Sequence, residues 1–128
     1  METILKKMDL EFCGTGKHKI NPDKFLEQSG AIFLDVRATE EVKTIGFNFS
    51  YFGIKVINIP IEELSERFDE LPKDVLIGTF CCSGTRSVIA YAFLLSKGYD
   101  KVKWIDAGLE QLTALLKPGL IYKKSINK

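Results

Sequence analysis

Hydrophobic residues along the chain gather into short, nearly continuous runs that alternate with segments of helical periodicity. Four runs, at residues 31–36, 54–59, 74–80 and 101–105, have the length and flanking turn residues of buried strands. Between them, residues 61–71 repeat apolar side chains at helical spacing, and residues 87–98 are apolar almost all round. Strands that alternate with helices predict an α/β protein, with a parallel sheet covered by helices on both faces.

Weaker patterns predict the shorter elements. Pro22, in the first position after the potential cap Asn21, favours a short helix that stops before Gly30. Brief helices are also predicted at residues 38–45 and 109–116. The polar lead-in (1–18) and the tail (117–128) lack a strong pattern, and we expect solvated ends there. The predicted organisation is therefore a lead-in, one domain over residues 19–116, and a tail.

Composition and charge narrow the class of protein. A chain of 128 residues suits a single domain, and a net charge of +1 argues against a broad surface for nucleic acid or membrane. Neither a signal peptide nor a membrane span is apparent, so we expect a soluble cytoplasmic protein, a monomer or weak homodimer. Three cysteines form an odd, sparse set, which favours reduced thiols over a disulfide framework.

The stretch FCCSGTRS, residues 80–87, falls between the end of a predicted strand and the start of a predicted helix. A loop in this position points backbone N–H groups at one spot, where the helix dipole adds partial positive charge. Gly84 permits a tight curve, and Arg86 adds a full positive charge. Such surroundings lower the pKa of a thiol and make it a nucleophile.

Spacing separates the two adjacent cysteines. Cys81 begins a C-x-x-G-x-R loop at the strand end, whereas Cys82 leaves only three residues before Arg86. We therefore predict that Cys81 is the nucleophile. Cys82 is either a bystander or a resolving thiol, and Cys13 is either inert or an oxidation partner. Adjacent cysteines have poor spacing for chelating zinc, so no metal site is predicted.

An ordered set of motifs resembles the rhodanese-like family over residues 19–116. The loop pattern is matched by Cys81, Gly84, Arg86 and Ser87. Further matches, in chain order, are the sequence LDVR at 34–37 followed by Glu41, the sequence NIP at 58–60, and the late segment with Gly98-Tyr99, Val102 and Asp106-Ala107-Gly108. The loop alone is a weak pattern, but the colinear set is specific.

The resemblance implies a three-layer α/β/α domain with a mainly parallel five-stranded sheet. It also implies a sulfurtransferase in which the Cys81 thiolate takes sulfane sulfur from a donor such as thiosulfate and holds it as a persulfide. An acceptor then removes the sulfur: cyanide in the assay, a thiol or a protein in the cell. No metal or organic cofactor is needed.

Each loop residue has a role in this interpretation. The backbone amides of Cys82, Ser83, Gly84, Thr85 and Arg86 are expected to stabilise the sulfur anion, as an oxyanion hole does. The Arg86 side chain is also expected to hold anionic donors. Asp35, Arg37 and Ser87 are predicted to support the loop rather than react.

Two alternative functions stay open. Related phosphatases and arsenate reductases have a loop one residue longer, whereas four residues separate Cys81 from Arg86. A non-catalytic rhodanese-like module that binds a protein is the other alternative, because residues 44–57 depart from the family pattern. The aromatic residues of that segment form either a docking lip or part of the core: Phe47, Phe49, Tyr51 and Phe52.

Overall fold

A five-stranded sheet forms the centre of the molecule, which a computed structural model describes over residues 2–126. The strands are β1 (Lys19–Ile20), β2 (Ile32–Asp35), β3 (Lys55–Asn58), β4 (Ile77–Phe80) and β5 (Val102–Ile105). Their order is β1-β5-β4-β2-β3, and every pair is parallel. The predicted α/β class is confirmed. Residue 1 of the predicted lead-in and residues 127–128 of the predicted tail lie outside the described residues.

Eight α-helices accompany these strands over residues 2–126. They are α1 (Glu2–Lys7), α2 (Leu10–Thr15), α3 (Pro22–Phe25), α4 (Thr39–Thr44), α5 (Leu64–Arg67), α6 (Thr85–Ser96), α7 (Leu109–Ala114) and α8 (Pro118–Ile126). Short 3₁₀ turns occur at Ser50–Phe52, Ile61–Glu63 and Phe68–Glu70. Across the described part of the chain, none of the helices combines the length and apolar character that crossing a membrane requires.

Two hydrophobic layers cover the two faces of the sheet. Along β2 the side chains alternate, so that Ile32 and Leu34 join one layer while Phe33 joins the other. The first layer contains buried residues of α5 and α6, including Leu64 and Leu94. The second contains buried residues of α3 and α7. The molecule is therefore a three-layer α/β/α sandwich.

The predicted continuous helix over residues 61–71 is wrong. The segment instead divides into a 3₁₀ turn, the four-residue helix α5 and a second 3₁₀ turn. Its apolar spacing still serves packing, because Leu64 and Leu71 are buried. The Tyr99 hydroxyl donates to the carbonyl oxygens of Phe68 and Leu71, at 2.8 Å and 2.6 Å. These tertiary bonds take up carbonyls at the end of the segment, where the chain leaves helical geometry.

The ends of the chain are more ordered than the sequence predicts. The lead-in forms α1 and α2, the edge strand β1 follows it directly, and Ile4 is buried. His18, expected to be a solvated polar residue, instead stacks on Phe12 with ring centroids 4.6 Å apart and lies near Trp104. The tail contains α8, which was not predicted. The lead-in lacks strong periodicity but packs against the core through Met8 and Phe12. The described side chains of α8 are exposed, as expected of a solvated tail.

The aromatic segment belongs mainly to the core. Phe49 is fully buried, and its ring meets that of Phe33 edge to face at 5.0 Å. Phe47 packs edge to face against Phe80, while Tyr51 is 40 % exposed. Of the two alternatives drawn from the sequence, core packing therefore describes this segment best.

Candidate active site

The central strand β4 carries Cys81 to the carboxyl edge of the sheet. Cys81 follows the buried Phe80 directly and is itself only 1 % exposed. The Thr79 hydroxyl donates to the carbonyl of Ser87 at 2.8 Å, which ties the end of β4 to the first turn of α6. The loop between them is therefore held at both ends.

Gly84 makes the turn that brings the chain back towards the thiol. Its φ of 86° lies in the left-handed region, which glycine adopts without the steric cost that a Cβ imposes. The Ser87 hydroxyl donates to the carbonyl of Gly84 at 2.8 Å and closes the curve. The left-handed backbone geometry therefore explains why the loop motif has a glycine at position 84.

The Cys81 sulfur accepts hydrogen bonds from the loop that encloses it. The backbone nitrogen of Gly84 lies 3.1 Å from the sulfur, and that of Ser87 lies 3.3 Å away. Burial is the largest single influence and opposes ionisation, but hydrogen bonds from Ser87, Ser83 and Gly84 together lower the pKa of the Cys81 thiol. The Ser87 donor lies one residue beyond the predicted set of amides, 82–86.

Arg86 points to a carboxylate that the sequence did not include among the site residues. Its Nη1 and Nη2 donate to the two carboxyl oxygens of Glu41 at 2.6 Å and 3.0 Å. The bonds from Arg86, together with one from the backbone of Ala38, lower the pKa of Glu41 to about 2. The motif position of Glu41, shortly after LDVR, was the one signal that pointed to it.

A buried ion pair supports the neighbouring strand end. Arg37 Nε and Nη2 donate to the carboxylate of Asp35, with the shortest distance at 2.7 Å, and both side chains are at most 2 % exposed. Burial is the largest influence and opposes the charge on Arg37, yet the bonds and charge of Asp35 raise its pKa. Arg37 also donates to the carbonyl of Ile45 at 2.8 Å.

Asn58 links this ion pair to the next strand. Its side-chain nitrogen donates to the carbonyls of Asp35 and Arg37 at 2.9 Å and 3.0 Å. The guanidinium of Arg37 lies over the rings of Phe47 and Phe80, 5.4 Å and 5.6 Å from their centroids. Asp35 and Arg37 thus fix the chain on the β2 side of Cys81.

A cavity of about 450 Å³ borders the loop on the β5 side. Cys82, Ser83 and Thr85 are exposed, and they contribute to its wall. The full lining comprises Cys82, Ser83, Gly84, Thr85, Val88, Trp104, Asp106, Ala107, Gly108 and Gln111. None of these residues comes from the divergent segment 44–57. Sequence reasoning missed Trp104 and Gln111, because neither residue is part of the late motif that includes Asp106-Ala107-Gly108.

The third cysteine, Cys13, is not among the residues that line the cavity. Cys13 is exposed in α2, and all three cysteines are free. Within the described ranges, no group of three or more His, Cys, Asp or Glu side chains has an arrangement suited to a metal ion.

A family model for the rhodanese-like domain matches residues 22–115. The chain belongs to the rhodanese-like family. The match includes the loop, the LDVR motif and the β5 end, and it confirms the resemblance that the sequence motifs indicated.

Known relatives include proteins of sulfur metabolism. A tRNA sulfurtransferase from Shewanella woodyi is 33 % identical over 75 residues, which are 59 % of this chain and 15 % of that protein. The rhodanese-like chain thus spans a small part of this relative's length.

Solved structures share the same fold. A rhodanese-related protein from Thermoplasma volcanium has a TM-score of 0.63 and 26 % identity, over 79 % of this chain and 95 % of the other. A NAD-dependent persulfide reductase from A. fulgidus has a TM-score of 0.61 and 35 % identity, over 80 % of this chain and 17 % of the other. At the level of the family, the chain is thus related to sulfur-transfer proteins.

Proposed function

We propose that this rhodanese-like chain is a sulfurtransferase that carries sulfane sulfur as a persulfide on Cys81. The observation that carries the proposal is the pair of backbone donors, from Gly84 and Ser87, that converge on the Cys81 sulfur. Hydrogen bonds to an ionised acceptor are stronger than neutral ones, so this arrangement favours the thiolate. The thiolate is the reactive form in sulfur transfer.

The reaction has two steps. The Cys81 thiolate attacks the outer sulfur of a donor; a new sulfur–sulfur bond forms, and the donor's own sulfur–sulfur bond breaks. With thiosulfate the electron pair of that bond leaves with sulfite, and a persulfide remains on Cys81. A thiophilic acceptor then attacks the terminal sulfur, and the Cys81 thiolate is regenerated. The acceptor is cyanide in an assay and a small thiol or a protein thiol in the cell.

The loop amides provide the electrostatic part of catalysis. The N–H groups that bind the thiolate are expected to bind the persulfide anion as well, because both charges lie inside the same curve of residues 81–87. The names of the relatives support sulfur transfer in general. Transfer of sulfur from the donor to Cys81, and from Cys81 to the acceptor, then requires no resident cofactor.

The direct test is detection of the persulfide. Wild-type protein is incubated with thiosulfate or an organic persulfide, and intact and peptide mass spectrometry locates the added sulfur atom. We expect it on Cys81 in wild type and in the variants Cys82→Ser and Cys13→Ser, and its absence in Cys81→Ser. If no donor adds sulfur to Cys81 in the folded protein, the enzyme proposal fails and a non-catalytic binding module becomes the better interpretation.

A further inference from the structure

The charge of the site is smaller than the loop motif suggests. Arg86 is the cation that the motif provides, but Glu41 already occupies both of its terminal nitrogens. Arg37, the other arginine near the loop, is paired with Asp35 and buried. Neither guanidinium therefore offers an uncompensated positive charge to an incoming donor. A dianion such as thiosulfate gains little from a cation that a carboxylate has neutralised.

Space for a donor lies beside the loop. A cavity of about 450 Å³ falls in the range that holds organic ligands and is far larger than an inorganic anion needs. Cys82, Ser83 and Gly84 line the cavity, and Gly84 also donates to the Cys81 sulfur. The wall of the cavity therefore includes a residue that contacts the reacting sulfur directly.

The residues that line the cavity favour a particular chemical group on the part of the donor that lies there, which we call the donor's tail. Val88 and Trp104 supply apolar surface, and the carboxylate of Asp106 supplies negative charge. Lys19 contacts one oxygen of Asp106 at 3.3 Å, but both side chains are 42 % exposed, which is the setting of a weak ion pair. An amine on the ligand can therefore bind Asp106, whereas a carboxylate or sulfonate finds no cationic side chain among the residues that line the cavity.

We propose that the preferred donor is an organic persulfide with an amine-bearing tail in this cavity, and that Glu41 disfavours a dianionic donor such as thiosulfate because it neutralises Arg86. The inference rests on the proposed sulfur-transfer function. The Cys81 thiolate attacks the outer sulfur of R–S–SH and forms a new bond to it. The original sulfur–sulfur bond breaks, RS⁻ leaves with its electron pair, and the proton stays on the transferred sulfur.

Two persulfides that have the same reacting group but opposite charges on their tails test this idea. Cysteamine persulfide carries an amine, and 3-mercaptopropionate persulfide carries a carboxylate; thiosulfate is the third donor. Loading of Cys81 is measured for each as kcat/KM with a common acceptor. We expect wild type to favour the amine over the carboxylate by about tenfold, the scale of one unfavourable charge contact in a partly screened site.

Variants separate specificity from general damage. Glu41→Gln keeps the shape of the side chain, and it is expected to raise kcat/KM for thiosulfate about threefold to tenfold, mainly through KM. The ratio of the two persulfides should stay the same, because their tails lie in a cavity that Glu41 does not line. Glu40→Gln removes the same charge from the exposed neighbouring position of α4 and is expected to leave the donor ratios unchanged. Asp106→Asn is expected to reduce the preference for cysteamine persulfide.

The outcomes are distinguishable. Equal kcat/KM values for the two persulfides in wild type overturn the inference, as does a Glu41→Gln variant that changes all three donors by the same factor. Both results leave sulfur transfer by Cys81 intact. If none of the donors adds sulfur to Cys81, the proposed function itself fails. A lower KM for thiosulfate in Glu41→Gln, with unchanged ratios in Glu40→Gln, supports the specificity role.

Discussion

The backbone nitrogen of Ser87 lies 3.3 Å from the Cys81 sulfur and donates to it from the first turn of α6. The contact joins the first residue of the loop to the helix that follows. It places the positive end of a twelve-residue helix against the sulfur atom on which charge develops. The reactivity of the site therefore depends on backbone geometry, and several predictions concern that geometry.

The first prediction concerns pH. Because the loop lowers the pKa of Cys81, its thiolate persists to lower pH than that of an ordinary cysteine. The rate of alkylation by iodoacetamide should rise with pH through a midpoint below the ordinary thiol value, measured on a cysteine in an unstructured peptide. Peptide mapping distinguishes Cys81 from Cys13 and Cys82. A Cys81 midpoint at or above the ordinary value contradicts the prediction.

The same profile should contain no second transition from Glu41 between about pH 4 and 8. Its pKa of about 2 lies below that window, so the carboxylate stays charged and paired with Arg86 throughout. Loading of Cys81 should therefore follow a single ionisation. The measurement is the pH dependence of persulfide formation in wild type and in Glu41→Gln. Each profile should show a single transition, with a midpoint below the ordinary thiol value.

The second prediction concerns the Ser87 hydroxyl. Ser87→Ala removes its bond to the carbonyl of Gly84 and the hydroxyl contact that helps to lower the pKa of Cys81. We expect the Cys81 midpoint to rise and the free energy of unfolding to fall by roughly 1 kcal/mol. Ser83→Ala is the matched control, because Ser83 is exposed on the same loop and its backbone is retained. Equal effects of the two variants contradict the assignment.

The third prediction concerns Gly84. Gly84→Ala forces a Cβ into left-handed geometry and is expected to cost about 1–2 kcal/mol of stability. Gly30→Ala provides a control, since Gly30 also has positive φ and open space where a Cβ would lie, but is away from the loop. Both variants should lose similar stability in urea denaturation. Only Gly84→Ala should raise the Cys81 alkylation midpoint.

The fourth prediction concerns the buried ion pair. Asp35→Asn leaves the Arg37 guanidinium buried without its counter-charge, which typically costs about 3–5 kcal/mol. Urea denaturation measures the loss. Glu70→Gln is the control, because it removes a carboxylate from an exposed pair with Arg67 and should change stability much less. Similar losses in the two variants contradict a structural role for the buried pair.

Local pattern predicted the elements that lie in the core. The runs ending at Val36 and Phe80 are continuous because both faces of their strands are covered, and this property is visible in sequence. Strand β1 has only two residues and pairs with β5 through Lys19 and Ile20, so it has no run of its own. The lead-in helices were missed for the same reason, because contacts with distant parts of the chain hold them.

Some features of the candidate site can likewise be predicted from local sequence, and others cannot. Cys81, Gly84 and Arg86 follow from spacing, since one short loop holds all three. The pairing of Arg86 with Glu41 spans 45 positions, and the cavity combines the loop with the end of β5. Such relations depend on strand order, which places β5 and β2 on either side of β4. Local periodicity does not determine the order of strands in a sheet.

Trp104 gives this protein an optical reporter of its own. It is the one tryptophan in the sequence, it lines the cavity beside the loop, and its ring lies 6.1 Å from that of His18. Indole emission responds to the polarity and the quenchers around it, so a ligand that enters the cavity changes the signal without any added label. Donor binding can thus be followed at Trp104 by stopped-flow fluorescence, while sulfur loading on Cys81 is followed by mass spectrometry of quenched samples.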